Sequence, residues 1–224
     1  MALLHFNRDL ENLKKQFLSL FALVEDNLRK AMRSLEERND ELAREVIRGD
    51  KSVDGAEVGV EEECLKILAL HQPVGQDLRY ITAILKINRN LERLGDQAVA
   101  IARITHALRA QPMPEWPPEI GEIAEKALRM LQLAFESIIH LDTAIARQVW
   151  TGDDEVDELT ERALLTLRSE MRAHPERLDA LLGLNSLVYI LERVADHATN
   201  IAKDVLYTVL GEIVRHRGKE FKRG

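Results

Sequence analysis

The sequence predicts an all-α protein made of two similar three-helix bundles in tandem, with six long helices. Three observations predict it. Apolar residues recur at steps of three and four almost end to end, with charged residues filling the gaps, as in long amphipathic helices. The prolines sit only where such helices would have to stop. The two halves also repeat one another, and tandem units of one supersecondary type are the simplest reading of that.

The first helix is carried by Leu10, Leu13, Phe17, Leu20, Phe21, Val24 and Leu28. A break follows at Asn39-Asp40, where an Asx side chain is suited to cap a second helix. That helix runs through Gly49-Asp50-Lys51-Ser52-Val53-Asp54 to His71, and Pro73 marks the next turn. The third helix carries Leu91-Glu92-Arg93-Leu94-Gly95-Asp96-Gln97-Ala98-Val99-Ala100-Ile101-Ala102. Pro112, Pro114, Pro117 and Pro118 then fall within residues 110–118, a semi-rigid linker between a first unit, 1–109, and a second, 119–224. Leu128, Leu131, Phe135, Ile138 and Ile139 give the fourth helix, and a break near Asp142-Thr143 offers another cap. The fifth helix carries Gly152-Asp153-Asp154-Glu155-Val156-Asp157 and ends near Pro175. The sixth carries Leu191-Glu192-Arg193-Val194-Ala195-Asp196-His197-Ala198-Thr199-Asn200-Ile201-Ala202, identical to its counterpart at seven of twelve positions.

The 224 residues hold 31 Lys+Arg against 38 Asp+Glu, a formal charge of −7, which disfavours a binder of nucleic-acid phosphates. Cys64 is the single cysteine, which excludes an internal disulfide and a cysteine zinc knuckle and fits a buried thiol in a reducing compartment. The N-terminal stretch has no basic segment followed by an apolar run, and the longest uncharged stretch, Ala180 to Leu191, is too short to span a membrane. A cytoplasmic chain without a transmembrane segment is expected. His216 to Arg223 is basic and expected to fray, with an anionic membrane contact open to it.

The repeat preserves acidic positions that core packing does not require. Asp50 with Asp54, Glu92 with Asp96, Asp153 with Asp157 and Glu192 with Asp196 are all spaced i,i+4. Each pair lies about 40° apart around its helix and sets two like charges on one face. In an antiparallel three-helix unit the second and third helices lie side by side, so four carboxylates can meet in each half. Such an all-oxygen, anionic set suits hard or borderline divalent ions and can bridge more than one. Local ion pairing is the alternative: Arg89 and Arg93 are within helical reach of Glu92 and Asp96. In the second half Glu192 has Val188 and Tyr189 at that spacing instead. Setting the eight motif carboxylates aside leaves 30 acids against 31 bases, so without the two sites the acidic surplus disappears.

Other chemistries lack their residues. The Glu-x-x-His spacing of helical-bundle di-iron oxidases is absent, as are a nucleophilic triad and a glycine-rich phosphate loop. An all-helical, metal-dependent nucleotide pyrophosphohydrolase remains an enzymatic alternative, although such enzymes space their acids i,i+3. A metal-free helical adaptor is a third reading.

Gly-Asp-x3-Asp, His71-Gln72-Pro73 followed by Asp77-Leu78-Arg79, the paired Leu-Glu-Arg-x2-Asp blocks, and the run from Ala195 to Ala202 leading into Tyr207 and Gly211 resemble the PhoU family of phosphate-uptake regulators, over nearly the whole chain. The resemblance implies two similar three-helix bundles whose acidic motifs bind multinuclear metal clusters. Carried over by position, Asp50, Asp54, Glu92 and Asp96 form one metal site, and Asp153, Asp157, Glu192 and Asp196 the other. Iron or zinc is expected foremost, with nickel, manganese, magnesium or calcium compatible. The implied role is non-enzymatic: negative regulation of phosphate uptake and phosphate-starvation signalling. The implied partners are the ATPase of the high-affinity phosphate ABC transporter, PstB, and the sensor histidine kinase PhoR, with membrane association only through them and a homodimer left open. Two departures bear on the sites: Ala100, where the family often has the asparagine present here as Asn200, and Gln97 opposite His197, a histidine suited either to ligation or to hydrogen bonding beside the site. His71 and His174, beside prolines, read as capping or packing groups.

Overall fold

Helix periodicity without strand-forming alternation yields six helices in the computed structural model, which describes residues 2–109 and 115–212, with side chains from His5 onward. The linker prolines Pro112 and Pro114 and the basic segment from His216 lie outside the described residues. In order come α1 (Ala2–Glu36), α2 (Asp40–His71), α3 (Gly75–Leu108), α4 (Pro118–His140), α5 (Thr143–Ala173) and α6 (Leu178–Leu210). A single 3₁₀ turn, Pro175–Arg177, joins the last two. No strand occurs among the described residues.

Both capping positions expected from the sequence are used. The Leu42 amide donates to Asn39 Oδ1 at 3.0 Å, and the amides of Ala144 and Ile145 donate to Asp142 Oδ1 at 2.7 and 3.1 Å. Each satisfies amides that a helix start leaves without an intrahelical carbonyl. Pro118 occupies the first turn of α4, where a missing amide hydrogen costs nothing. Gln72 and Leu141 end α2 and α4 in the left-handed region, at φ of 45° and 53°.

Within each half the three helices pack pairwise: α1 with α2 and α3, and α4 with α5 and α6. The cores are apolar and contiguous, with Phe17, Leu20, Ile67, Ile84, Leu91 and Ile101 fully buried in the first and Leu131, Val156, Leu167, Leu187 and Ile201 in the second. Cys64 belongs to the first core, and burial pushes its thiol up to about 12, as a structural rather than reactive group requires. His71 packs edge-on against Phe6 and shares a hydrogen bond with Asp9 Oδ2 at 3.0 Å, tying the end of α2 to α1. His174 reaches Glu176 Oε1 at 3.2 Å beside the 3₁₀ turn.

The halves meet along two seams. One is antiparallel, α3 on α6. Arg79 Nε donates to the Thr208 carbonyl at 3.0 Å, the Lys86 ammonium lies 3.6 Å from Asp204, and His197 Nδ1 bonds Asn90 Oδ1 at 2.9 Å. At the far end a Cβ on Gly183 would stand 2.8 Å from Leu108 Cδ1, so the helices approach closely there. The other seam is aromatic: the rings of Phe21 on α1 and Phe135 on α4 stack with centroids 3.6 Å apart and planes 8° from parallel, and Phe17 adds a tilted contact at 5.3 Å. Beside it Gln132 Nε2 donates to Glu25 Oε1 at 2.6 Å.

Truncating Phe135 to alanine removes ring contacts on both Phe17 and Phe21. A loss of about 3–5 kcal/mol is expected, the range for large aromatic truncations in a core, read from the midpoint of a urea titration followed by circular dichroism.

Candidate metal centres

Position 50 on α2 faces α3 where that helix carries glycine between Leu94 and Asp96. A Cβ added to Gly95 would stand 3.2 Å from Val53 Cγ1 and 3.3 Å from Asp50 Oδ1, so the backbone of α3 runs directly beneath the Asp50 carboxylate. The i,i+4 spacing then carries Asp54 along α2 and Glu92 along α3 on the same side.

The carboxylates of each set bear on one another electrostatically. Burial, then the charges of Asp54 and Asp96, hold the Asp50 carboxyl above its ordinary value, with Arg103 pulling it back. Glu92 is raised by burial, Asp96 and Asp54, against Arg93 and Arg89. In the second half Asp153 is raised by burial, Asp157 and Asp196; a hydrogen bond from Thr199 at 3.2 Å and the Lys203 charge oppose this. Glu192 is raised by burial, Asp196 and Asp157, and Asp196 by burial and Asp157. Asp50, Asp54, Glu92 and Asp96 thus lie within electrostatic reach of one another in the first half, and Asp153, Asp157, Glu192 and Asp196 in the second.

Ion pairing does not account for them. Elsewhere acids are matched: Asp40 by Arg44 at 2.7 Å, Glu25 by Arg29 at 2.9 Å, Glu45 by Lys30 at 2.7 Å. Among the described residues none of the eight motif carboxylates lies within 4.0 Å of a basic nitrogen. The pairs open to Glu92 with Arg89 and to Asp96 with Arg93 are not formed. Nor, among the described residues, do three acidic, histidine or cysteine side chains converge tightly enough to grip one ion. An ion held by three of them would have to draw them inward. The donor set fits such an ion: hard anionic oxygens on two adjoining helices, mutually destabilised.

The two sites are not copies. Glu57, one turn beyond Asp54, joins the first: burial and the charges of Glu61, Glu92 and Asp54 raise it. Asn88, fully buried, donates from Nδ2 to Glu57 Oε1 at 2.8 Å and to the Glu57 carbonyl at 2.9 Å, leaving its own Oδ1 buried without a partner. The repeat places Thr160 and Val188 at the corresponding positions of the second half, where the Thr160 hydroxyl is likewise buried and unpartnered. Glu57 was legible as the residue seven beyond Asp50 on one helical face. Arg103 and Lys203, bearing on Asp50 and Asp153, were also missed, although they continue the same offset of the repeat.

His197 hydrogen-bonds through Nδ1 to Asn90 on α3, which leaves its Nε2 available for ligation. Burial, then the charges of Arg93 and Arg193, holds its imidazole below its ordinary value.

Comparison with known proteins agrees with the two-unit arrangement. The family model described as the PhoU domain matches residues 17–105 and again 120–205. The chain is 34% identical over 218 residues to the "Phosphate-specific transport system accessory protein PhoU homolog" of Burkholderia sp, covering 96% of this chain and 93% of that protein. It resembles the crystal structure of PhoU from Pseudomonas aeruginosa with a TM-score of 0.89 at 33% identity, covering 92% of this chain and 100% of that one. The crystal structure of the phosphate transport system regulatory protein PhoU from Streptococcus pneumoniae gives 0.87 at 25% identity, covering 93% and 99%.

A raised carboxyl in the fold means the ionised form opposes folding. That penalty is fully present well above the folded-state value and is relieved as pH falls through it. Metal-free protein carrying Asp153→Asn with Asp196→Asn should therefore melt several degrees above wild type at neutral pH. The advantage should vanish as pH falls into the carboxylate range, where wild type takes up the same protons. Calorimetry across that pH series checks it.

Proposed function

This chain belongs to the PhoU domain family, and on that premise we propose that it is a metal-binding negative regulator in a phosphate-specific transport system. In this reading it docks on the ATPase of the phosphate ABC transporter, PstB, and on the sensor histidine kinase PhoR, and so restrains uptake and starvation signalling. The family match and the printed names of its relatives, accessory and regulatory proteins, support a regulator over an enzyme. A cytoplasmic location follows from those partners. No helix among the described residues is long and apolar enough to cross a membrane.

The observation that carries the metal half of the proposal is the two carboxylate groups that form no close ion pair among the described residues. Asp50, Asp54, Glu92 and Asp96, with Glu57 beside them, would hold cations in the first half. Asp153, Asp157, Glu192 and Asp196 would do so in the second. Iron or zinc is our first assignment; nickel, manganese, magnesium or calcium satisfies the same oxygen set less selectively. A bound cation would supply charge neutralisation, drawing the second and third helices of each bundle together. These carboxylates lie at the exposed rim, so occupancy changes the charge that a docking partner meets.

Elemental analysis of the purified chain tests this. Wild type is expected to retain metal through gel filtration, and the double variant Asp96→Ala with Asp196→Ala to lose most of it; unchanged content would remove the metal assignment. Co-purification with the transporter ATPase and the sensor kinase, at high and low phosphate, tests the partners. Absence of both complexes at either level would refute the docking role.

A further inference from the structure

Where α3 crosses α6, a cavity of about 320 Å³ opens on the seam between the halves, lined by Arg93, Gln97, Arg193, Asp196, His197 and Asn200. Five of these six side chains carry N–H groups. Arg93 and Arg193 hold equivalent places in the repeat, and because α3 and α6 run antiparallel both reach the same opening. Among the described residues neither guanidinium lies within 4.0 Å of a carboxylate, whereas Arg29, Arg33, Arg44 and Arg48 are each paired with an acid. His197 is held in place from the α3 side by Asn90.

We propose that this cavity is a binding site for a phosphate group. Two planar guanidinium forks can each grip a tetrahedral oxyanion through paired N–H donors, and the Gln97 and Asn200 amides can complete the shell. Asp196 on the same wall sharpens the choice of anion. Its carboxylate repels a fully deprotonated oxyanion, but it accepts a hydrogen bond from one that keeps a proton. Monohydrogen phosphate has such a proton at neutral pH and sulfate does not, so the wall favours phosphate over sulfate. The same aspartate belongs to the second carboxylate group, which puts the anion site and that group in contact through one side chain. The proposal does not require metal: in the metal-free chain the arginines, amides and Asp196 are all present.

The test uses the full chain, stripped of metal by chelation and held in phosphate-free buffer, titrated by calorimetry with inorganic phosphate, sulfate or AMP. Saturable phosphate binding is expected, about tenfold weaker in Arg93→Gln or Arg193→Gln and lost in the double variant, with Arg172→Gln unaffected. Thermal melts of each variant show that the fold is kept. If AMP alone binds, the site takes a phosphomonoester that at neutral pH mostly lacks the proton Asp196 would accept, which overturns the role given to Asp196 and the assignment with it. No binding of either phosphate probe overturns it, as does binding indifferent to both arginines. Sulfate binding as tightly as phosphate overturns the role given to Asp196 and with it the phosphate assignment. Because metal is absent throughout, failure here leaves the metal reading untouched, and loss of that reading leaves this one standing.

Discussion

Two adjoining helices that each carry carboxylates at i,i+4 place four negative charges along a rim that apolar side chains would ordinarily close. Burial strengthens their mutual repulsion, and among the described residues no basic nitrogen lies within 4.0 Å to cancel it. The apolar cores of the two bundles must hold these helices together against that repulsion. Val53, Leu94 and Ala98 beneath the first group, and Val156, Val194 and Ala198 beneath the second, are buried to within about a percent, giving each rim a rigid floor. Packing, rather than charge, fixes where the backbone goes, which is what the proposed cation sites would require.

Much of this was readable before any coordinates. Asn39 and Asp142 announced helix starts because a short Asx side chain reaches amides two and three residues on, a purely local geometry. The acidic pairs announced themselves through repetition, and the spacing of a helix put them on one face. What stayed hidden depends on contacts between residues far apart in sequence. Nothing local to Phe21 or Phe135 says that their rings stack, and nothing near Asn90 says that it holds His197. Arg89 and Arg93 looked like partners for Glu92 and Asp96 at helical spacing, yet sequence distance does not say which way a long flexible side chain turns. Arg93 instead lines the seam. Glu57 was passed over because its counterpart is Thr160, so the repeat gave it no emphasis.

Even within the repeated blocks the halves differ at the sites and along the seam. Gly95 lets α3 run close beneath Asp50, while Ala195 carries a methyl group at the corresponding place. Glu57 and Asn88 enlarge the first oxygen set, and a valine stands opposite Asn88 in the second. The first group thus has more oxygens to offer, and the second is flanked by Lys203, whose ammonium lies over the Trp150 ring at 5.3 Å. Two sites of common origin need not share one affinity.

The antiparallel crossing of α3 on α6 has a consequence for how such a molecule can vary. Two identical chains meeting about a two-fold axis must accept every substitution twice, once on each side of the axis. With both copies fused into one polypeptide, that obligation disappears, and Gln97 can face a histidine counterpart, or Ala100 an asparagine. Fusion also fixes the stoichiometry: the two halves meet at a concentration set by their tether, so the shared cavity forms however dilute the protein is. A single chain can therefore tune one half for one signal and the other half for another, without assembling a second subunit to do so.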